Sequence, residues 1–383
     1  MKSRIFSGVQ PSGNLHIGNY LGAIQQWVQL QDEYEALFCI VDLHAITVAQ
    51  NPEELRKKTF EIAKTYIALG IDPKKAHIFV QSHIREHTEL AWILNTLVKN
   101  GDLTKMTQFK DKTGVDFEMY EEALQEMSQR GEISKSKEVL ENIENMSSMD
   151  AGKTASTSAF FTALRFFQEI KERFNAVGVG LFDYPVLMAS DILLYDTNCV
   201  PVGDDQIQHL ELTRTLARRF NKRFGETFIV PETRVLKEGS RIMGLDDAHK
   251  KMSKSALSEY NYIALHDDLE IAKKKIMKAK TDSGSDITYS EDRPELKNLL
   301  TIFALLENVS LEEIIFRYKG KGYAEFKKGL TLTVLTFLEN FQKKYATISD
   351  EEVRKVLYRG AEYASNIAQE KMKDVRDKLG FWQ

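Results

Sequence analysis

Apolar runs and helical periodicities alternate along the first 112 residues. Residues 4–9 carry the apolar pair Ile5 and Phe6 and read as a first strand, with a helix predicted over 21–31. Residues 36–41 are uninterrupted apolar (Ala36, Leu37, Phe38, Cys39, Ile40, Val41). A strand buried on both faces of a parallel sheet looks like this. Asn51, Pro52, Glu53 and Glu54 have the form of a helix start: a capping residue, proline in the first turn, then acids. That helix should run to Leu69 and end at Gly70. Residues 76–80 read as a third strand, and a helix over 86–100 should be stopped by Gly101. Strands and helices alternating at this spacing predict a doubly wound, parallel α/β fold.

The pattern changes at residue 113. Residues 113–175 are polar and acid-rich, with 13 Asp+Glu against 8 Lys+Arg over 111–175. Helical patterning over 117–127, 137–146 and 160–174, with the aromatics Phe160, Phe161, Phe166 and Phe167, predicts a small packed helical insertion rather than disorder. Residues 178–181 should re-enter the core. A helix follows over 184–195, with Asp191 set among apolar neighbours, then a strand at 199–202, a turn and helix cap at 203–206, and a helix over 209–220. Beyond 268 nearly everything reads as helix: 268–279, 295–306, 311–318, 323–345 and 350–380. The expected organisation is an α/β domain over 1–265, with the insertion at about 113–175, and an all-helical C-terminal domain over 266–383.

Composition narrows the class. At 383 residues, 43% hydrophobic and 28% charged, the chain is ordinary for a globular protein. It holds no apolar run of about 18 residues, so no membrane span is expected, and it opens directly on a strand-like segment, so no signal peptide is expected. The two cysteines, Cys39 and Cys199, both lie in apolar strand-like runs. They read as packing residues rather than a disulfide or metal pair. These features predict a cytoplasmic protein. The net charge of −4 does not advertise a polyanion binder, but residues 271–383 carry 21 Lys+Arg against 17 Asp+Glu. A partner such as a nucleic acid would find its positive patches there, although a helical domain of evenly mixed surface charge gives the same count.

Two loops carry candidate chemistry. Lys251-Met252-Ser253-Lys254-Ser255 combines two ammonium groups, two hydroxyls and one apolar anchor, which suits a polyphosphate gaining charge on its leaving oxygens. Near the N-terminus, a strand, a glycine-rich turn (Gly8 to Tyr20) and a helix start form an anion site, because unpaired backbone N–H groups and the helix dipole face the ligand. Gly18 allows close approach of ligand to backbone, and His16 is placed to donate to a phosphate. Two other stretches lack such chemistry. Ser134-Lys135-Ser136-Lys137 is a solvated charged run, and Gly152-Lys153-Thr154 lacks the earlier glycine and the preceding strand of a phosphate loop. Asp191 is either a helix-surface acid or a buried acceptor. In the second case it would read a single N–H on an apolar ring.

The residues His16-Ile17-Gly18-Asn19 resemble the first signature of class I aminoacyl-tRNA synthetases, with Asn19 where many members carry a second histidine. Residues 251–255 resemble the second signature, complete. Tyr184-Pro185, Leu187-Met188-Ala189 and Asp191, followed by Val200-Pro201-Val202-Gly203 and Asp205-Gln206, resemble the bacterial tryptophanyl branch rather than its tyrosine-specific relative. Gln10-Pro11-Ser12-Gly13 and Phe38-Cys39-Ile40-Val41-Asp42 with His44-Ala45 agree. These motifs cover roughly 1–112 and 176–383 and leave 113–175 outside.

That resemblance implies a Rossmann-like catalytic domain and roles for particular residues. Asp191 would accept the indole N–H. Phe6, Met188, Val200 and Val202 would wall the ring, with His44 in the same pocket, while Tyr184 and Gln206 would hold the α-amino group. Val200 and Val202 would be buried in any parallel sheet, and Phe6 is equally a core residue. ATP would lie on Gln10, Pro11, Ser12, Gly18 and Asn19, with Gly203, Asp204 and Asp205 near the ribose and Ile242 beside adenine. Lys112, Lys251, Met252, Ser253, Lys254 and Ser255 would lie along the phosphates, with His16, Lys251 and Lys254 stabilising developing charge. Mg²⁺ would ride on the ATP phosphates, since no carboxylate cluster with ligand spacing is present. The implied activity is ATP-dependent attachment of tryptophan to its tRNA by a homodimer, with the helical region reading the anticodon. A tyrosine-specific enzyme and a non-catalytic tRNA-binding relative are the alternatives. The intact 251–255 loop argues against the second, because a pure binder does not need a pyrophosphate clamp.

Overall fold

The computed structural model describes residues 2–11, 15–114, 172–203, 206–235, 241–254, 256, 258–284 and 286–382. The expectations for 115–171, including the 134–137 run, the 152–154 stretch and the four phenylalanines, fall outside the described residues.

The strands are β1 (Arg4–Val9), β2 (Glu35–Ile40), β3 (Ala76–Val80), β4 (Cys199–Val202) and β5 (Glu232–Val235). They form a parallel sheet in the order β3-β2-β1-β4-β5. From β1 the chain builds outward on one side through β2 and β3, then on the other through β4 and β5. The order therefore reverses between β1 and β4, and the crevice beyond the carboxyl ends of these strands is where open α/β sheets bind ligands.

Period-2 alternation assigns the strand side chains to two cores. Ile5, Ala36, Phe38, Ile40, Ile78 and Val80 face one; Phe6, Leu37, Cys39, Phe79, Val200 and Val202 face the other. Burial on both faces explains why β2 was legible as a plain apolar run. β5 was not, because Glu232-Thr233-Arg234-Val235 is a short, charged edge strand, the kind that resists further pairing. Cys39 and Cys199 are both thiols, Cys39 fully buried.

The helices before the 115–171 stretch are α1 (Ile17–Asn19), which passes through a π-helical turn at Tyr20–Ile24 into α2 (Gln25–Glu33), then α3 (Asp42–Ala45), α4 (Pro52–Leu69), α5 (Glu86–Asn95), α6 (Asn100–Thr104) and α7 (Thr107–Thr113). The first helical run thus begins four residues earlier than predicted. α4 forms as expected: Asn51 Oδ1 accepts from Glu53 N and Glu54 N at 2.9 and 3.1 Å, and Gly70 closes it at φ +111. Gly101 does not stop a helix. α5 already ends at Asn95, and Gly101 lies in the first turn of α6, where its N–H needs no intrahelical acceptor. Asp102 anchors that restart by accepting from Lys99 N at 2.9 Å and pairing with Arg219.

After the stretch come α8 (Val179–Leu193) and α9 (Ile207–Phe224), then the helical layer α10 (Leu269–Lys278), α11 (Pro294–Glu307), α12 (Leu311–Arg317), α13 (Tyr323–Thr347) and α14 (Asp350–Leu379). Residues 178–181 do not re-enter the core as predicted. Gly178 caps α8 at the surface, Val179 is 78% exposed, and the helix becomes buried only from Tyr184. The last helix returns to the sheet. α14 lies on β3, and a β-carbon on Gly360 would stand 2.0 Å from the Ile78 carbonyl oxygen. Ala364, Ala368, Met372 and Val375 bury the following turns in the second core. No helix of the described residues is long and apolar enough to cross a membrane.

Candidate active site

A cleft of about 610 Å³ opens at the carboxyl end of β1. One wall is Gly8, Val9, Gln10, Pro11, Leu15, His16 and Asn19; α4 and the residue before its cap supply Gln50, Glu54, Leu55 and Lys58; Ser253 and Lys254 close the third side. In the sequence 51–54 has the form of a helix start alone; in the fold Gln50, Glu54, Leu55 and Lys58 also line the site.

His16 has extended backbone at the start of α1. Its N–H donates to Asn19 Oδ1 at 3.0 Å, while Asn19 N and Tyr20 N donate back to the His16 carbonyl. Asn19 therefore fixes the His16 backbone through its amide oxygen. The His16 ring is buried, and its Nδ1 has no hydrogen-bond partner among the described residues. Burial, aided by the nearby Lys251 ammonium, pushes the imidazole down to about 4. At neutral pH His16 is thus an uncharged donor rather than a cation.

The 251–255 loop is rooted by backbone pairing. Met252 N donates to Ile242 O at 3.0 Å, and Gly244 N to Lys250 O at 2.8 Å. Asn261 does the rest: Oδ1 accepts from Ser253 N at 2.9 Å, Nδ2 donates to Asp246 at 2.6 Å, and its carbonyl accepts from Leu245 N. Nothing in a single sequence marks Asn261, since it works by matching backbone groups elsewhere. Met252 is 2% exposed and belongs to the core, so it anchors the loop rather than lining the cleft. Lys254 is exposed on the cleft rim. Ile242 is likewise buried and serves the loop through its carbonyl.

The expected tryptophan residues gather on the other face of the sheet. Phe6, Val200 and Val202 are buried in one cluster, with Met188 packed against it, and Phe6 stacks on Tyr195 at 5.7 Å. His44 lies edge-on to Tyr184. The Tyr184 hydroxyl donates to Gln108 Oε1 at 3.0 Å and lies 2.8 Å from His209 Nε2; Gln108 and His209 were not foreseen. Gln206 caps α9, its N–H bound to the Gly203 carbonyl. Lys112 falls in α7. Ser12, Asp204, Asp205 and Ser255 lie outside the described residues.

Asp191 is 1% exposed. The apolar surroundings inferred from its own helix are only half of its environment. His44 Nε2 meets Oδ2 at 2.8 Å, His87 Nδ1 meets Oδ1 at 2.6 Å, and Gln81 Nε2 spans both oxygens at 2.7 and 2.9 Å. Burial pushes this carboxyl up, but His87 and His44 outweigh it and hold it down to about 2. It is an anion, held by donors from α3, the turn after β3, and α5.

Among the described residues no three His, Cys, Asp or Glu side chains stand together as a metal ligand set. The cleft presents backbone, a neutral imidazole and the side chains of Lys58 and Lys254, a chemistry suited to a polyanion. Beside it stands a buried carboxylate.

Comparison with known proteins places this arrangement. The family model for class I tRNA synthetases (W and Y) matches residues 1–129 and 132–339. The chain belongs to that family. A tryptophan–tRNA ligase of Caldanaerobacter subterraneus subsp. tengcongensis is 47% identical over 378 residues, covering 98% of each chain. One from Helicobacter pylori is 43% identical over 379 residues, covering 99% of each. Among solved structures, tryptophanyl-tRNA synthetase from Mycoplasma pneumoniae superposes with a TM-score of 0.78 at 32% identity, over 100% of this chain and 99% of that one. The Campylobacter jejuni enzyme, solved with ADP and tryptophan, gives 0.70 at 33% identity, over 99% of this chain and 100% of that one. These matches correct one expectation: they run through 113–175, so relatives of near-equal length share that stretch and the chain does not depart from them there.

Proposed function

We infer that the chain is a tryptophan–tRNA ligase, which joins L-tryptophan to its tRNA at the expense of ATP. The observation that carries this reading is the meeting of the two signature loops: His16, Asn19, Ser253 and Lys254 line one cleft, with the buried Asp191 anion in the adjoining half of the sheet. End-to-end likeness to tryptophan-specific relatives supports the same reading.

In the first step a tryptophan carboxylate oxygen bonds to the α-phosphorus of ATP as the bond to the β-phosphate oxygen breaks, and pyrophosphate leaves with that electron pair. No protein nucleophile is required. The chain contributes alignment and compensation of the charge that grows on the leaving oxygens. His16 offers a neutral N–H there, and Lys251 and Lys254 offer ammonium groups. In the second step a terminal ribose hydroxyl of the tRNA attacks the tryptophanyl carbonyl and AMP leaves. ATP rests on Gln10, Pro11, Ser12, Gly18 and Asn19, with Gly203, Asp204, Asp205, Ile242, Lys112 and the 251–255 loop completing its site. Among the described cleft residues the single carboxylate is Glu54, so Mg²⁺ enters as part of the nucleotide substrate, carried on its phosphates. Tryptophan rests between Phe6, His44, Met188, Val200 and Val202, with Asp191 accepting the indole N–H and Tyr184 and Gln206 near the α-amino group.

Residues 1–265 form the catalytic unit and 266–383 the tRNA-reading unit, a division favoured by the positive balance of the helical layer. The protein works in the cytoplasm as a homodimer. Ile46, Val48 and Val179 are exposed, and a β-carbon on Gly180 would stand 3.8 Å from Thr47 Cγ2, so the three side chains flank one area that offers apolar surface for a second copy. Aminoacylation of purified tRNA(Trp) and tRNA(Tyr) transcripts tests the reading: tryptophan should appear on the first, and a failure to charge either transcript would leave the non-catalytic alternative.

A further inference from the structure

We propose that His87, locked by Tyr195, is a positioning residue for tryptophan selection, setting the Asp191 carboxylate for the indole N–H without touching the substrate itself. This rests on Asp191 being the indole acceptor.

Each Asp191 oxygen already meets two donor contacts. Oδ1 takes His87 and Gln81, and Oδ2 takes His44 and Gln81. A carboxylate has about four lone-pair positions in all, so an incoming N–H must displace a contact. Gln81 is the donor placed to yield. One nitrogen serves both oxygens, so it keeps one while releasing the other. Its own orientation is fixed, because Gln81 Oε1 accepts from Leu43 N at 3.1 Å.

His87 cannot yield in that way. It is wholly buried and makes the shortest bond to the carboxylate. Its Nε2 lies 2.7 Å from the Tyr195 hydroxyl, itself wholly buried. A buried phenol must find an acceptor. The Tyr195 proton therefore goes to Nε2 and the ring keeps its own proton on Nδ1, facing Asp191. The backbone is tied as well: Ser190, next to Asp191 on α8, donates Oγ to the His87 carbonyl at 2.5 Å. Side chain and main chain together hold α5 and α8 in one register across 104 residues of sequence. A carboxylate held this firmly rejects a ring without an N–H more strongly than one able to turn away, because it cannot relax around the missing donor.

The test uses benzothienylalanine, the tryptophan analogue with sulfur in place of the indole N–H. Pyrophosphate exchange gives kcat/KM for tryptophan and for the analogue in wild type, His87→Leu, His87→Asn, Tyr195→Phe and Asp191→Leu. The preference for tryptophan should fall about tenfold in His87→Leu and a few-fold in Tyr195→Phe, through the tryptophan KM. His87→Asn, which retains a donor near the Nδ1 position, should recover part of it. KM values for ATP and for the analogue should stay within about twofold. Equal losses for both amino acids in the His87 and Tyr195 variants would show a merely structural role and overturn the proposal. An unchanged preference in those variants, with its collapse in Asp191→Leu, would overturn it while leaving Asp191 as acceptor. A preference that survives Asp191→Leu, which has no acceptor atom, would remove the acceptor reading and this proposal together. Tyr195→Phe deletes one oxygen and keeps the test decisive should His87→Leu fail to fold.

Discussion

Gly18 faces Met252 across the two signature loops: a β-carbon on Gly18 would stand 3.2 Å from Met252 Sδ, and 2.9 Å from His16 Nδ1. Glycine is needed there by both neighbours at once, not by its own backbone angles. Gly18→Ala should displace the His16 ring and loosen the loop root. Misplacement of this order costs up to about a hundredfold in rate. Adenylate formation in a quenched-flow experiment should slow by about 10–100-fold, with the melting temperature nearly unchanged. Wild-type rates in Gly18→Ala would show that the loops are not coupled through this contact.

Lys254 stands exposed on the cleft rim, and in the proposed reaction it meets phosphate mainly as charge develops. Such a group contributes to kcat more than to ground-state binding. Lys254→Ala should slow single-turnover activation by about 10²–10³-fold, the range for loss of one preorganised donor. A raised ATP KM with an unaltered single-turnover rate would instead make Lys254 a ground-state binder.

His16 predicts a pH dependence of stability. Its pKa falls from the ordinary 6.5 to about 4 on folding, so the unfolded chain binds more protons between those values. The stabilisation is complete above pH 6.5 and is lost as pH falls toward 4. Urea midpoints of wild type and His16→Asn should converge over that interval, wild type losing stability more steeply. Activation should also show no inflection near 6.5 from this residue, because its imidazole protonates only as the pH approaches about 4. Parallel stability curves for the two proteins would contradict the assignment.

Gly360 meets the Ile78 carbonyl, a backbone atom that cannot rotate aside. Gly360→Ala should push α14 off β3 and cost on the order of 2–4 kcal/mol, as overpacking of a core contact does. Urea unfolding measures this, and a loss below about 0.5 kcal/mol would mean that the helix sits farther from the strand.

Much of this architecture was legible because burial leaves periodic marks. β2 announced itself by burial on both faces, and α4 by Asn51, Pro52 and Gly70, each acting through its own neighbours. The signature loops were legible as short strings. What was not legible depends on convergence from distant parts of the chain. Gln81 follows β3, His87 lies on α5 and Tyr195 follows α8, and they become a cluster only where these segments meet around Asp191. Asn261 and Gly360 act on backbone groups, which carry no residue-type signal at all. Gly101 misled because a helix tolerates glycine in its first turn.

The central claim is that the cleft activates tryptophan with ATP. Pyrophosphate exchange into ATP, driven in parallel by L-tryptophan, L-tyrosine and L-phenylalanine, tests it most directly, since it isolates the first step from any tRNA. The account predicts exchange with tryptophan, with kcat/KM for tyrosine and phenylalanine lower by about 10³-fold or more, as expected where a buried carboxylate would be left without the indole donor. Exchange driven better by tyrosine, or none with any of the three, would contradict it.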